Sequence, residues 1–127
     1  MEKNKKILLV EDDEGFREAI KESFRDTEFV IITASDGEEG LAKAKEGRPD
    51  LILLDILLPK MDGIEMASKL KEAGIKLPIM YLTNVKNDER ISDAMSVSGG
   101  DMDYIVKTDV RVEDIIDRIR KRLDPKT

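Results

Sequence analysis

Five short apolar runs recur along the chain, with charged segments between them. Several runs are apolar at every position, which is typical of strands covered on both faces of a parallel sheet. The runs are Ile7 to Val10, Phe29 to Thr33, Leu51 to Leu54, Pro78 to Leu82 and Tyr104 to Val106. This pattern predicts five β-strands.

Apolar residues also recur at helical spacing within the charged segments, which predicts a helix after each strand. Ser35 and Asp36 are suited to cap the second helix, and Gly74 and Gly100 are suited to end the third and fourth. The stripes are Phe16, Ile20 and Phe24; Leu41, Ala42 and Ala44; Ile64, Ala67 and Leu70; Ile91, Ala94 and Met95; and Val112, Ile115, Ile116, Ile119 and Leu123.

Strands and helices therefore alternate as (βα)₅. This order predicts an α/β fold with one doubly wound parallel sheet, helices on both faces and right-handed crossovers. A chain of 127 residues suits a single domain. We expect that domain to span residues 1–127, with a core from about 5 to 123 and short frayed termini.

Composition narrows the possible functions. The net charge of −6 disfavours direct binding to nucleic acid or to an anionic membrane surface. The first apolar run is too short for a signal segment or a membrane span, so we expect a cytoplasmic protein. Neither cysteine nor histidine occurs in the chain, which excludes disulfides, thiol chemistry and a catalytic imidazole.

Polar residues follow four of the predicted strands. Ligand sites of open α/β sheets lie beyond the carboxyl ends of the strands, so these residues should meet at one edge. Taken singly, an acid here is often a helix cap, a threonine a satisfied hydroxyl and a lysine a surface charge. The joint pattern favours a site. Its members are Glu11, Asp12 and Asp13 after strand 1, Asp55 after strand 3, Thr83 after strand 4 and Lys107 after strand 5.

The acids in this group predict a metal ion. Glu11, Asp12 and Asp55 would repel one another unless a cation lay between them. A few oxygen ligands without histidine or cysteine suit Mg²⁺, whereas Ca²⁺ would require more ligands.

Phosphoryl transfer is the chemistry that these residues support. A carboxylate such as Asp55 can attack phosphorus without a general base because it is already ionised at neutral pH. A metal ion, the ammonium of Lys107 and the hydroxyl of Thr83 would stabilise the phosphoryl oxygens. Since the chain has no histidine, it cannot phosphorylate itself on histidine, and the phosphoryl donor must come from outside.

At these residues the sequence resembles the response-regulator receiver family over nearly its whole length. The motifs that carry the resemblance are ILLVEDD at 7–13, PDLILLDILLPKMDG at 49–63, PIMYLT at 78–83 and GDMDYIVK at 100–107. The resemblance implies the flavodoxin-like, CheY-like strand order 2-1-3-4-5.

The resemblance also implies the roles at the metal site. Asp55 is expected to be the phosphoacceptor. Asp12 would bind Mg²⁺ directly and Glu11 would assist, directly or through water. The backbone carbonyl of Leu57 would be a further ligand, and Asp13 is secondary.

Three residues would then respond to the phosphoryl group. Thr83 would bond one of its oxygens and Lys107 would pair with it, while Tyr104 would turn inward as Thr83 shifts. That movement would alter the face formed by helix 4, strand 5 and helix 5, to which a downstream protein binds. Such a chain is a phosphoacceptor switch that assists its own phosphorylation and dephosphorylation.

The implied partners are those of a two-component phosphorelay. A sensor histidine kinase or phosphotransfer protein would be the donor, and the domain would be a monomer or a phosphorylation-dependent dimer. One departure concerns the residue after Lys107, where the family usually has proline and this chain has Thr108. Proline is the residue that commonly permits a cis bond, so we expect a trans or strained peptide there.

Three other functions compete. An aspartyl-nucleophile phosphatase would need a second acid two residues after Asp55, where Leu57 stands. A flavodoxin-like module would need a phosphate loop rich in Ser or Thr after strand 1 and more aromatic residues. A receiver-like interaction module that keeps the site without signalling is compatible with the sequence.

Overall fold

The computed structural model describes residues 5–84, 89–98 and 103–124, in which five strands alternate with five helices. The strands are β1 (Lys5–Val10), β2 (Phe29–Ala34), β3 (Leu51–Asp55), β4 (Ile79–Thr83) and β5 (Asp103–Val106). The helices are α1 (Glu14–Ser23), α2 (Gly37–Gly47), α3 (Gly63–Glu72), α4 (Arg90–Ser98) and α5 (Val112–Leu123). Each predicted element is present, with strand ends that differ by one or two residues.

All five strands belong to one parallel sheet in the order β2-β1-β3-β4-β5, which confirms the predicted order. β1 begins two residues earlier than its apolar run because Lys5 and Lys6 pair with Phe29 and Val30 of β2. Pairing between strands uses backbone groups, so the first residues of a strand need not have apolar side chains.

The sheet separates two buried clusters, since successive side chains of a strand point to opposite faces. In β1, Leu8 and Val10 pack with α2, α3 and α4, whereas Ile7 and Leu9 pack with α1 and α5. β3 divides in the same way and is buried throughout. This two-sided burial explains why the central strands contain runs that are apolar at every position, Ile7 to Val10 and Leu51 to Leu54.

Two helix stripes differ from their prediction. In α2, Ala42 is exposed, and the packed face is formed by Gly37, Gly40 and Ala44. Helix α2 lies so close to β1 that a Cβ atom on Gly40 would come within 2.9 Å of the Val10 side chain. In α4, Met95 is 48% exposed, although Ile91 and Ala94 are buried as predicted.

Aspartate side chains begin three of the helices. Asp13, Asp36 and Asp62 have extended backbone and accept hydrogen bonds from amides three residues on, at 3.1, 2.8 and 2.8 Å. Such caps satisfy amide groups that have no partner within the helix. Gly74 follows α3 with φ of 76°, as predicted, while Gly100 lies outside the described residues.

Arg48 ends α2 in the left-handed conformation, with φ of 44° and ψ of 65°. An L-residue pays about 1–2 kcal/mol there because its Cβ crowds the following carbonyl, whereas glycine does not. We therefore expect Arg48→Gly to raise the free energy of unfolding by about 0.5–1 kcal/mol in urea titrations. Glu46→Gly, an exposed change inside the same helix, should instead lower it by about 1 kcal/mol. A loss of stability in Arg48→Gly would contradict this interpretation of the helix end.

Candidate functional site

The parallel sheet brings the predicted site residues to one edge. Val10 pairs with Leu54, so Glu11 follows β1 beside Asp55, the last residue of β3. Thr83 ends β4 and pairs with Val106, after which Lys107 follows. The carboxyl ends of four neighbouring strands therefore supply this edge, as the sequence pattern predicts.

Three carboxyl groups meet at the centre of the edge. Glu11, Asp12 and Asp55 each offer an oxygen, and these oxygens lie within 4.8 Å of one another. Glu11 is 0% exposed and Asp55 is 5% exposed, whereas Asp12 is exposed. The donor set is oxygen-only and carries several negative charges, which fits a hard cation such as Mg²⁺.

Lys107 bridges the two buried acids. Its Nζ donates to both carboxylate oxygens of Glu11, at 2.8 and 2.9 Å, and to Oδ2 of Asp55 at 3.0 Å. The backbone amide of Leu57 donates to the other oxygen of Asp55 at 3.1 Å. The site therefore holds its own counter-charge, and the Asp55 carboxyl group is fixed from two sides.

Burial and charge shift the protonation of this cluster. Burial raises the pKa of Glu11 to about 8, with Asp55 acting in the same direction and Lys107 against it. Burial acts to lower the pKa of Lys107, but its bonds to Glu11 and Asp55 and their charges outweigh this, so that pKa lies above its ordinary value. The ammonium is accordingly the fixed charge of the cluster, and the Glu11 carboxyl group takes up a proton more readily than an ordinary glutamate does.

The other predicted residues are placed around this centre. Asp13 caps α1, and its side chain accepts a hydrogen bond from the Phe16 amide. Thr83 is buried with 2% exposure at the end of β4. The side chain of Leu57 is 55% exposed and lines the open cavity above Asp55. Tyr104 is 41% exposed on β5, so its ring faces outward.

Two residues near the site were not predicted as part of it. Phe16 is interpreted from the sequence as a core residue of α1, yet its ring centre lies 4.7 Å from Nζ of Lys107 and lines the same cavity. Arg17 donates from Nη1 to the backbone oxygen of Glu11 at 2.9 Å. Their position in the first turn of α1, directly after the acidic motif, is the signal that could have identified them.

The segment after Lys107 forms an exposed turn over Thr108 and Asp109. The Lys107–Thr108 peptide is trans, one of the two geometries that the absence of proline predicts. The amide of Lys107 donates to the carbonyl of Thr83 at 2.8 Å, and the amide of Asp109 donates to that of Val106 at 3.0 Å. The backbone of Lys107 is thus hydrogen-bonded to β4, which fixes the position from which its side chain extends.

A comparison with protein families agrees with this geometry. The model of the response regulator receiver domain matches residues 7–120. The chain belongs to the response regulator receiver domain family.

Its curated relatives are response regulators of several bacteria. The alkaline phosphatase synthesis transcriptional regulatory protein PhoP of Bacillus subtilis is 41% identical over 104 residues, which are 82% of this chain and 42% of that protein. Response regulator MprA of Mycobacterium leprae is 33% identical over 118 residues, 93% of this chain and 50% of that protein. The chain thus spans about half the length of these relatives or less.

Solved structures show the same fold. The receiver domain of the Francisella response regulator 1452 superposes with a TM-score of 0.85 at 25% identity, covering 98% of this chain and 100% of that one. Chemotaxis protein CheY4 of Vibrio cholerae gives a TM-score of 0.82 at 28% identity, covering 92% and 97%.

Family membership establishes the general function. The chain is a phosphoacceptor signalling domain of the two-component type and a switch. Receiver domains bind Mg²⁺ in general, and response regulators receive their phosphoryl group from histidine kinases. Within the described residues, none of the helices has the length and apolar character needed to cross a bilayer.

Proposed function

We propose that Asp55 is the phosphoacceptor of this domain and that Lys107 and Thr83 assist the transfer. The observation that supports this most directly is the buried Asp55 carboxyl group, held by the Lys107 ammonium at 3.0 Å and the Leu57 amide at 3.1 Å. A fixed carboxylate at an open cavity is oriented for attack on an incoming group.

In the proposed step, one carboxylate oxygen of Asp55 forms a bond to the phosphorus of the donor. The bond from phosphorus to the donor's imidazole nitrogen, or to the carboxyl oxygen of acetyl phosphate, breaks and its electron pair leaves with the donor. Lys107 shifts from the carboxylates to the phosphoryl oxygens, and the hydroxyl of Thr83 donates to another of them. In dephosphorylation a water molecule attacks the phosphorus, the bond from phosphorus to the Asp55 oxygen breaks, and inorganic phosphate leaves. The same residues stabilise the phosphoryl oxygens in this step, so the domain assists both its phosphorylation and its dephosphorylation.

Glu11, Asp12, Asp55 and the backbone carbonyl of Leu57 would hold Mg²⁺ at this site. When bound, the ion neutralises charge on the phosphoryl oxygens. The cluster of acids fits such an ion, because two of its carboxyl groups are buried and all three converge.

Tyr104 and Thr83 are proposed as the switch. Tyr104 lies on β5, which pairs with β4 up to Thr83 and Val106. Its outward ring is assigned to the unphosphorylated domain, and a shift of Thr83 toward the phosphoryl group would open space for the ring to turn inward. The free-energy difference between these two existing states would then change by a few kcal/mol, which shifts their populations. The altered surface is that of α4, β5 and α5, where a downstream protein would bind.

The remaining assignments rest on the family resemblance. A sensor histidine kinase or phosphotransfer protein is the proposed donor, and residues 1–127 are proposed to form one receiver domain with its core at about 5–123. The domain acts in the cytoplasm as a monomer or a phosphorylation-dependent dimer, without binding nucleic acid or membrane. A non-signalling interaction module is not favoured, because the chain belongs to a family of phosphoacceptors.

Incubation with Mg²⁺ and acetyl phosphate, followed by intact mass measurement, tests the acceptor. We expect the mass to rise by one phosphoryl group, and we expect no rise in Asp55→Asn or after chelation of divalent ions. Asp50→Asn is the matched control, since Asp50 precedes the same strand at its opposite end and accepts from the Lys6 amide at 2.7 Å. An adduct that persists in Asp55→Asn would identify another acceptor, and no adduct with any donor would support the interaction module.

A further inference from the structure

The ammonium of Lys107 is held by carboxyl groups and by an aromatic ring. Its Nζ lies 4.7 Å from the ring centre of Phe16, in addition to its bonds to Glu11 and Asp55. An ammonium within about 6 Å of a ring centre is attracted by the negative face of the ring. The lysine stem is long and flexible, so these contacts at its tip decide where the charge lies.

The carboxyl contacts are shared with another function. Glu11 and Asp55 are the same acids that are proposed to hold a divalent cation, and Asp55 is the proposed acceptor. A cation or a phosphoryl group that binds to these carboxyl groups weakens their hydrogen bonds to Lys107. The contact with Phe16 does not depend on them, because a phenyl ring neither binds Mg²⁺ nor takes part in the transfer.

We infer that Phe16 is a positioning residue that holds the Lys107 ammonium beside Asp55 through its aromatic face. The role of Phe16 in transfer rests on the proposed function, whereas the contact between its ring and the ammonium does not.

The placement of Phe16 differs from that of its neighbours on the same stripe of α1. Ile20 and Phe24 are buried at 0% and 1% exposure, while Phe16 is only partly buried at the margin of that cluster. Its backbone is fixed next to the site, since its amide donates to the Asp13 cap at 3.1 Å. Packing alone would accept leucine at this margin, but only an aromatic residue attracts the cation.

Nuclear magnetic resonance of the full chain tests the contact without phosphorylation. The ring current of Phe16 should displace the terminal methylene signals of Lys107 from the positions of the other lysines. We expect Phe16→Leu to return them to ordinary values and Phe16→Tyr to keep the displacement. Phe24→Leu is the matched control, since it removes, from the residue that directly follows α1, a ring that contacts Phe29 at a centroid distance of 5.9 Å. Unchanged Lys107 signals in Phe16→Leu would overturn the inference.

Transfer from acetyl phosphate tests the consequence. Phe16→Leu should take up the phosphoryl group about tenfold more slowly than the parent chain, with Phe16→Tyr close to the parent rate. Phe24→Leu should lose stability but keep its rate. Equal slowing in both leucine variants would reduce Phe16 to a packing residue and overturn the positioning role. If the parent chain accepts no phosphoryl group, the proposed function is contradicted. The resonance signals of Lys107 still show whether the Phe16 ring contacts its ammonium.

Discussion

Gly63→Ala is expected to lower the free energy of unfolding by about 3 kcal/mol or more, one of the largest losses from a single added methyl group in this chain. A Cβ atom on Gly63 would come within 2.2 Å of the carbonyl oxygen of Asp55 and 3.1 Å of Cα of Ile56. Both are backbone atoms at the end of a buried strand, so neither can move aside as a flexible side chain would. Relief of the clash must separate α3 from β3.

Urea unfolding measures this loss, and Gly47→Ala is its control. A Cβ atom on Gly47, the last residue of α2, would meet nothing within 4 Å. That change should raise the free energy of unfolding by about 0.5–1 kcal/mol, because alanine restricts the unfolded chain. Because the added Cβ atom would meet the backbone of Asp55, the Gly63→Ala variant should also form the phosphoryl adduct poorly. Equal stabilities of the two alanine variants would contradict the close approach of α3 to the site.

Much of the fold could be predicted because the runs Ile7 to Val10 in β1 and Leu51 to Leu54 in β3 are apolar at every position. Such a run is typical of a strand that is covered on both faces, so it predicts a parallel sheet with helices on both sides. The helix faces were harder to predict. Ala42 was wrongly assigned to the packed face of α2 because close packing there uses glycines, which carry no hydrophobic signal. Met95 was wrongly assigned to the packed face of α4, because an apolar side chain can remain exposed at no large cost in free energy.

The residues of the site could be predicted from their places at the strand ends, but their contacts could not. The sequence places Glu11, Asp55 and Lys107 at one edge, and the structure adds that one ammonium bridges both acids. Which rotamer a lysine adopts depends on groups from distant segments, and spacing along the chain does not record it. The same reason explains why Phe16 was interpreted as a core residue only.

Lys107→Met is expected to lower the free energy of unfolding by about 2–4 kcal/mol at neutral pH without divalent ions. The methionine fills a similar volume, but it leaves the carboxyl groups of Glu11 and Asp55 buried without their counter-charge, at 0% and 7% side-chain exposure. Glu11 already has a pKa of about 8 in the folded chain, well above its ordinary value of 4.5. Loss of the ammonium removes an influence that lowers this pKa, so the variant should keep the Glu11 proton to a higher pH than the parent chain does.

The pH dependence of the loss identifies its cause. A carboxyl group whose pKa is raised by folding costs no stability below its unfolded pKa and costs increasingly more as the pH rises toward the folded value. Between about pH 5 and about pH 8 both chains bear this cost alike, and above the folded pKa of about 8 it levels off in the parent chain but continues to rise in Lys107→Met. The difference between the two chains in urea titrations should therefore be larger at about pH 9.5 than at about pH 7. Lys60→Met is the control, because Lys60 is 61% exposed and lies 3.7 Å from Asp36, so its loss should cost less than about 1 kcal/mol. A loss in Lys107→Met no greater than this, or one that does not change with pH, would show that the buried acids are stabilised without the ammonium.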